Sequence, residues 1–176
     1  MGYKYRINKE KIDYIKYIYK LSNSENNHLD KTLINIYHYI NNGDIQPAFV
    51  YSVDPLIIST YNDEIDNILL LEFPNEFAEK YNLKFGDKLL TSNVYWTKKV
   101  TNYNDILPGL SNQMRYVDIF PMVLKFLVDD IDYDINSMYS EFHWEYIKNL
   151  TYAYFKFSNG KARNGFFYFF KGDKRG

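Results

Sequence analysis

The sequence predicts an α+β fold on three observations: helical periodicity before Gly43, short β-rich runs punctuated by Pro and Gly between Gln46 and Trp96, and a return to helical spacing after Ser137. Helices at both ends of a strand-rich middle point to an N-terminal helical hairpin, a small central sheet, two C-terminal helices and an aromatic tail. With 176 residues and 46% hydrophobic content, one domain can enclose a real core. Within it, residues 1–45 form the hairpin, 46–128 the sheet-containing part, and 129–176 the last helix and a basic aromatic tail.

Residues 8–22 read as a helix because Asn8 can cap and Ile12, Ile15, Ile18 or Tyr19, and Ser22 fall on one face, with lysines opposite. Leu29, Leu33, Ile36, Tyr37 and Ile40 then repeat at i, i+4, i+7, i+8 and i+11, and Asn41-Asn42-Gly43 supplies a stop. The polar stretch 23–27 reads as the linker between these helices. Residues 48–53 have strand composition, and Asp54-Pro55 forces a turn because Pro disfavours helix in the residue before it. Residues 56–60 are apolar and fit either element. In residues 65–73 the run Ile68-Leu69-Leu70-Leu71 predicts a strand buried on both faces, and Pro74 ends it. Pro and acidic residues suit the first turn of a short helix over 74–81, and residues 88–96 read as a further strand.

The turn formers Asn102, Asn104, Pro108, Gly109, Ser111 and Asn112 make residues 101–115 a loop, the natural place for a functional segment. Residues 117–128 read as a buried helix started near Pro121, and residues 129–134 as an acidic link. A second long helix is expected from a Ser137 cap, presenting Phe142, Tyr146, Leu150 and Tyr154. After the turn signals Asn159-Gly160 and Asn164-Gly165, residues 165–170 form a late strand or an aromatic tail packed on the body.

Charge is segregated along the chain. No Lys or Arg occurs in the 48 residues between Lys31 and Lys80, where Asp44, Asp54, Asp63, Glu64, Asp66, Glu72, Glu76 and Glu79 all lie. Net charge is +2 over residues 1–46, −8 over 47–150 and +5 over 151–176, so a total of −1 hides an acidic body with a basic end. Such a field attracts basic partners. The absence of cysteine removes disulfides, thiolate metal sites and a cysteine nucleophile, and fits a cytoplasmic protein. No signal-like or membrane-spanning apolar run is visible. The high tyrosine and phenylalanine content has a plain source: Ile, Asn, Lys, Tyr and Phe, the residues with AT-rich codons, make up 85 of 176 positions.

No nucleotide, serine-nucleophile or metal motif is present, and no cofactor is expected. Asp54 with Asp63, Glu64 and Asp66, and the group Asp129, Asp130, Asp132 and Asp134, lack the glycine and distal glutamate of a calcium loop. If the chain is an enzyme, Asp54, Asp63, Glu64, Arg115 and His143 are the candidates for carboxylate-based chemistry, metal-dependent or not, as a hydrolase or transferase. If it binds protein, Asp63, Glu64, Asp66, Asp129, Asp130 and Asp132 form the acidic contact surface. Basic and aromatic residues in 155–175 suit single-stranded nucleic acid, a use that the acidic body opposes.

The stretches 52–58, 61–66 and 69–74, extended by 86–93 and compatible with 105–109 and 126–130, resemble a pattern of uncharacterised bacterial proteins over about residues 47–150. That resemblance implies that the acidic residues belong to a shared core and transfers no catalytic residue. In size, acidity and lack of catalytic motif the chain is also similar to immunity proteins that neutralise secreted bacterial toxins. This similarity implies a basic toxin domain as the partner and an acidic surface that occludes its active site.

Overall fold

The computed structural model describes residues 5–64, 66–96, 106–110, 118–129, 135–158 and 161–166, and it is α+β. Helix α1 spans Lys9–Ile18 and opens at Asn8, whose side chain accepts from the Lys11 amide. Helix α2 spans Asn23–Asn42 and begins earlier than the periodicity suggests. Ser22 and Glu25 form a reciprocal capping box there, so the polar stretch taken for a linker is the first turn of the helix, and Ser22 caps it rather than belonging to α1. Leu29, Ile36 and Ile40 are buried, whereas Tyr37, assigned to the same stripe, is exposed.

Strands β1 (Asp44–Val53), β2 (Leu56–Asn62), β3 (Asn67–Phe73), β4 (Lys88–Trp96), β5 (Ile106–Pro108), β6 (Asp118–Val123) and β7 (Arg163–Asn164) form one mixed sheet, more extensive than the small one expected. Its order is β5-β3-β2-β1-β4-β6, with β7 pairing parallel to β3 at Leu71 and Glu72. Helix α3 (Glu76–Lys80) follows β3, as the Pro74 signal predicts. Residues 117–128 are not a helix: within the described part they are strand β6 and a 3-10 turn, Leu124–Phe126. A twelve-residue apolar run does not distinguish a buried helix from a strand that turns back, and Pro121, which cannot donate to a ladder, is tolerated because β6 is the outermost strand of the sheet path.

Helix α4 (Ile135–Met138) is a single turn, and the long helix is α5 (Glu141–Ser158), begun at Ser140, whose hydroxyl accepts from the His143 amide. Its start lies four residues past the expected cap, so Phe142 is 83% exposed while Trp144, Ile147, Thr151 and Tyr154 face inward. The late strand is the pair Arg163–Asn164, ahead of the expected 165–170, of which 167–170 lie outside the described residues.

Alternation along the strands explains the layering. Phe49, Ile57, Tyr61, Ile68 and Leu70 pack against Ile147 and Tyr154 of α5. The intervening residues Ala48, Val50, Leu56, Ile58, Leu69 and Leu71 join a larger cluster with Ile12, Ile15, Leu29, Ile36, Phe77 and Phe126. Under α5 the Thr151 hydroxyl donates to the Ile147 carbonyl at 2.8 Å, which leaves the buried Ser59 hydroxyl as donor to Thr151 at 2.7 Å. The sheet curls: Arg163 on β7, 4% exposed, reaches from the β3 edge and donates to the Ile119 carbonyl of β6 at 3.2 Å. Phe166 follows and sits among Phe73, Phe77 and Phe126, with Gly165 pressed so closely on the Phe73 ring that no Cβ fits. Phe166→Ala is therefore expected to destabilise the fold by about 3–5 kcal/mol, the range for an emptied aromatic core position, read from the midpoint of urea denaturation.

Candidate functional site

The hairpin loop 63–66 between β2 and β3 projects from one end of the sheet, where the Asn62–Asn67 pair closes the ladder. Strand β1 starts at this end with Asp44, paired to Asn93 of β4, and Tyr95 follows two residues further along β4. Three carboxylates gather there. Asp63 and Glu64 are exposed and Asp44 half-buried, and all three raise the Tyr95 hydroxyl, though burial is the larger cause. Gln46 steadies Asp63, with Nε2 donating to Oδ1 at 2.5 Å, and the Asn62 side chain accepts the Glu64 amide at 2.9 Å. No ion pair to Asp44, Asp63 or Glu64 occurs among the described residues; the four salt bridges present involve Asp129, Asp30, Glu141 and Glu145.

Asp66 does something different. It is 4% exposed, adopts the left-handed conformation (φ 45°), and turns its carboxylate inward to accept from Tyr61 Oη at 2.7 Å and Tyr146 Oη at 3.0 Å. Gly109 lies directly against this carboxylate, where a Cβ would collide with it, and its amide donates to the Asp66 carbonyl at 2.6 Å. The Leu110 amide donates to Tyr146 Oη at 3.2 Å, so one chain of hydrogen bonds ties β5, the β2–β3 loop and α5. Burial, then the bond to Asp66, pushes the Tyr61 hydroxyl far above its usual range, and burial raises Tyr146 as well. Tyr139, pushed up to about 12 by burial and then by Asp63, donates to the Ile45 carbonyl at 2.8 Å. His143 lies between Tyr139 and Tyr61, at ring distances of 5.4 and 5.3 Å.

The remaining candidates disperse. Asp54 sits in the β1–β2 turn and accepts from Asn75 Nδ2 at 2.7 Å. The seven residues of β2 separate it from Asp63 by about 20 Å at strand rise, so the two cannot share a reacting centre. Asp129 is held at the start of α1 by Asn8 Nδ2 at 2.8 Å and by Arg6 at 3.9 Å. Arg115, Asp130 and Asp132 lie outside the described residues. Burial of Asp66 removes it from an exposed contact surface, and no group of three His, Asp or Glu able to hold a metal exists among the described residues. In their place stand Asp44, Tyr95, Tyr139 and Tyr146, joined only by long-range strand and helix contacts. No helix among the described residues is long and apolar enough to cross a membrane. No family model, curated protein or solved structure matches this chain.

Two outcomes follow from the tyrosine–carboxylate network. Tyr61→Phe leaves a buried carboxylate short of a donor and is expected to cost about 1.5–3 kcal/mol in denaturant unfolding, the range for bonds to charged groups. Because folding raises the tyrosine pKa values above 10.0, the folded state holds these protons more tightly; the stabilisation is complete below pH 10 and is lost as pH climbs toward the folded values. Melting temperature should thus fall steeply above pH 10, and less steeply in Tyr61→Phe and Tyr95→Phe.

Proposed function

We propose that this protein captures a basic protein partner through the acidic sheet end, acting in the bacterial cytoplasm as an immunity protein that covers the active site of a toxin. The observation that carries this reading is the convergence of Asp44, Asp63 and Glu64 around Tyr95 with no neutralising cation among the described residues. Like charges brought together at a surface cost stability, and a basic partner relieves that cost while the summed field speeds its approach. Tyr95 and Tyr139 supply aromatic area beside the charges, the kind of group that anchors an interface. The structure gives carboxylate-based catalysis no comparable support, since Asp54 stands at the far end of β2 from Asp63.

The test is affinity capture of a basic toxin domain from the same host, comparing the native chain with Asp44→Asn/Asp63→Asn/Glu64→Gln. Association at low salt should slow by about tenfold or more in the triple variant, with a flattened dependence on ionic strength and a melting temperature no lower than that of the native chain. Identical association kinetics in the folded variant would overturn the role of this surface.

A further inference from the structure

Beneath the three carboxylates lie oxygen atoms that the fold leaves unused. Asp44 and Asn93 are direct cross-strand partners, so their side chains share a face, and Tyr95 rejoins that face two residues along β4. Asn93 is 1% exposed. Its Nδ2 donates to the Tyr61 carbonyl at 3.1 Å, which fixes the amide orientation and leaves Oδ1 buried with no donor among the described residues. The Tyr95 hydroxyl is buried too and makes no formed hydrogen bond among the described residues, although burial and then the neighbouring Asp44 carboxylate raise it. Buried acceptors are almost always paired, so an unpaired amide oxygen beside three carboxylates marks a place shaped for a donor that arrives from outside.

The chemistry of that donor is narrow. The unused groups on this face are Asn93 Oδ1, the neutral Tyr95 phenol and one donor, Asn62 Nδ2, and the three carboxylates above them exclude an anion. The site needs a cation with several N–H bonds. An ammonium offers three donors on a compact, strongly hydrated centre, whereas a guanidinium offers five in a plane, is weakly hydrated, and bridges acceptors spread along a flat sheet face. Its slim planar head on an alkyl stem also suits passage between exposed carboxylates to oxygens below them. We propose that the acidic end takes an arginine guanidinium presented by the partner protein. Asp44, Asp63 and Glu64 supply the charge, and Asn93 Oδ1 and the Tyr95 hydroxyl accept its N–H groups. This assignment rests on the reading of the acidic end as the docking surface and names the group it docks.

The test titrates the intact, isotope-labelled chain with ethylguanidinium and, separately, ethylammonium, following the Asn93 side-chain amide and the Tyr95 ring by nuclear magnetic resonance. A saturable shift of both signals, several-fold tighter for ethylguanidinium and weakened several-fold in folded Tyr95→Phe and Asp44→Asn, is the expected result. Equal affinities for the two ions, or no saturable shift at Asn93, would overturn it even if salt-sensitive protein capture persists, so the two readings fail separately. Competition distinguishes the source of the guanidinium: ethylguanidinium should release the captured partner at concentrations where ethylammonium does not. Saturable binding of the small ion without release of the partner would overturn the assignment to a partner arginine.

Discussion

Strands β2 and β3 have almost no solvent-facing side. Of their fourteen residues only Glu72 is exposed, and a strand buried on both faces must be covered twice. That requirement organises the molecule. One alternation of side chains is covered by α5 through Ile147, Thr151 and Tyr154, and the other by the aromatic cluster of Phe77, Phe126 and Phe166 together with α1 and α2. Covering the free edge of β3 takes two further short strands, β5 at one end and β7 at the other, both drawn from distant parts of the chain. The Arg163 side chain then ties that edge to β6 by one hydrogen bond across the curled sheet.

Two buried polar groups at the α5 contact are held by fixed partners. The Ser59–Thr151 pair lies in the middle of the α5 contact and is saturated by the Ile147 carbonyl. Asp66 is the costlier case: a carboxylate at 4% exposure, compensated by two tyrosine hydroxyls and sealed by Gly109. Its inward turn has a consequence for its neighbours. With Asp66 turned inside, Asp63 and Glu64 are the carboxylates of this stretch that stay exposed.

Much of the fold was legible in the sequence where local chemistry and tertiary burial agree. Ile68-Leu69-Leu70-Leu71 is a doubly buried strand in both, Asn8 caps α1 as expected, and Pro74 leads into α3. Legibility failed where the deciding contact is far away in sequence. Strand β6 resembles a helix in sequence because an apolar run carries no record of the β4 ladder it joins, and helical spacing alone puts Phe142 inside because it does not register that α5 starts at Ser140, next to Lys88, which bonds Glu141 at 2.8 Å and lies over the Trp144 ring. In the site, Asp63 and Glu64 were visible as a local cluster. Asp44 and Tyr95 were not, because they meet only through the β1–β4 register, and nineteen tyrosines conceal the few that matter.

The same long-range logic separates the competing uses of the acidic residues. Along the chain, Asp54 and Asp63 are nine positions apart and look like one cluster; in space an extended strand stands between them. A helix over those nine positions would have placed the carboxylates about 14 Å apart, at 1.5 Å per residue, whereas the intervening strand sets them about 20 Å apart. What comes together instead is three charges from two chain segments near a half-buried tyrosine of a third, with an unpaired amide oxygen two residues before that tyrosine on β4. Catalysis by paired carboxylates needs two of them within reach of one substrate atom, with environments that separate their proton affinities. Recognition of a cation needs only that several acceptors face the same small volume. At the sheet end the strand register decides which side chains are neighbours, because the pairing that builds β1 onto β4 is the pairing that sets Asp44 beside Asn93.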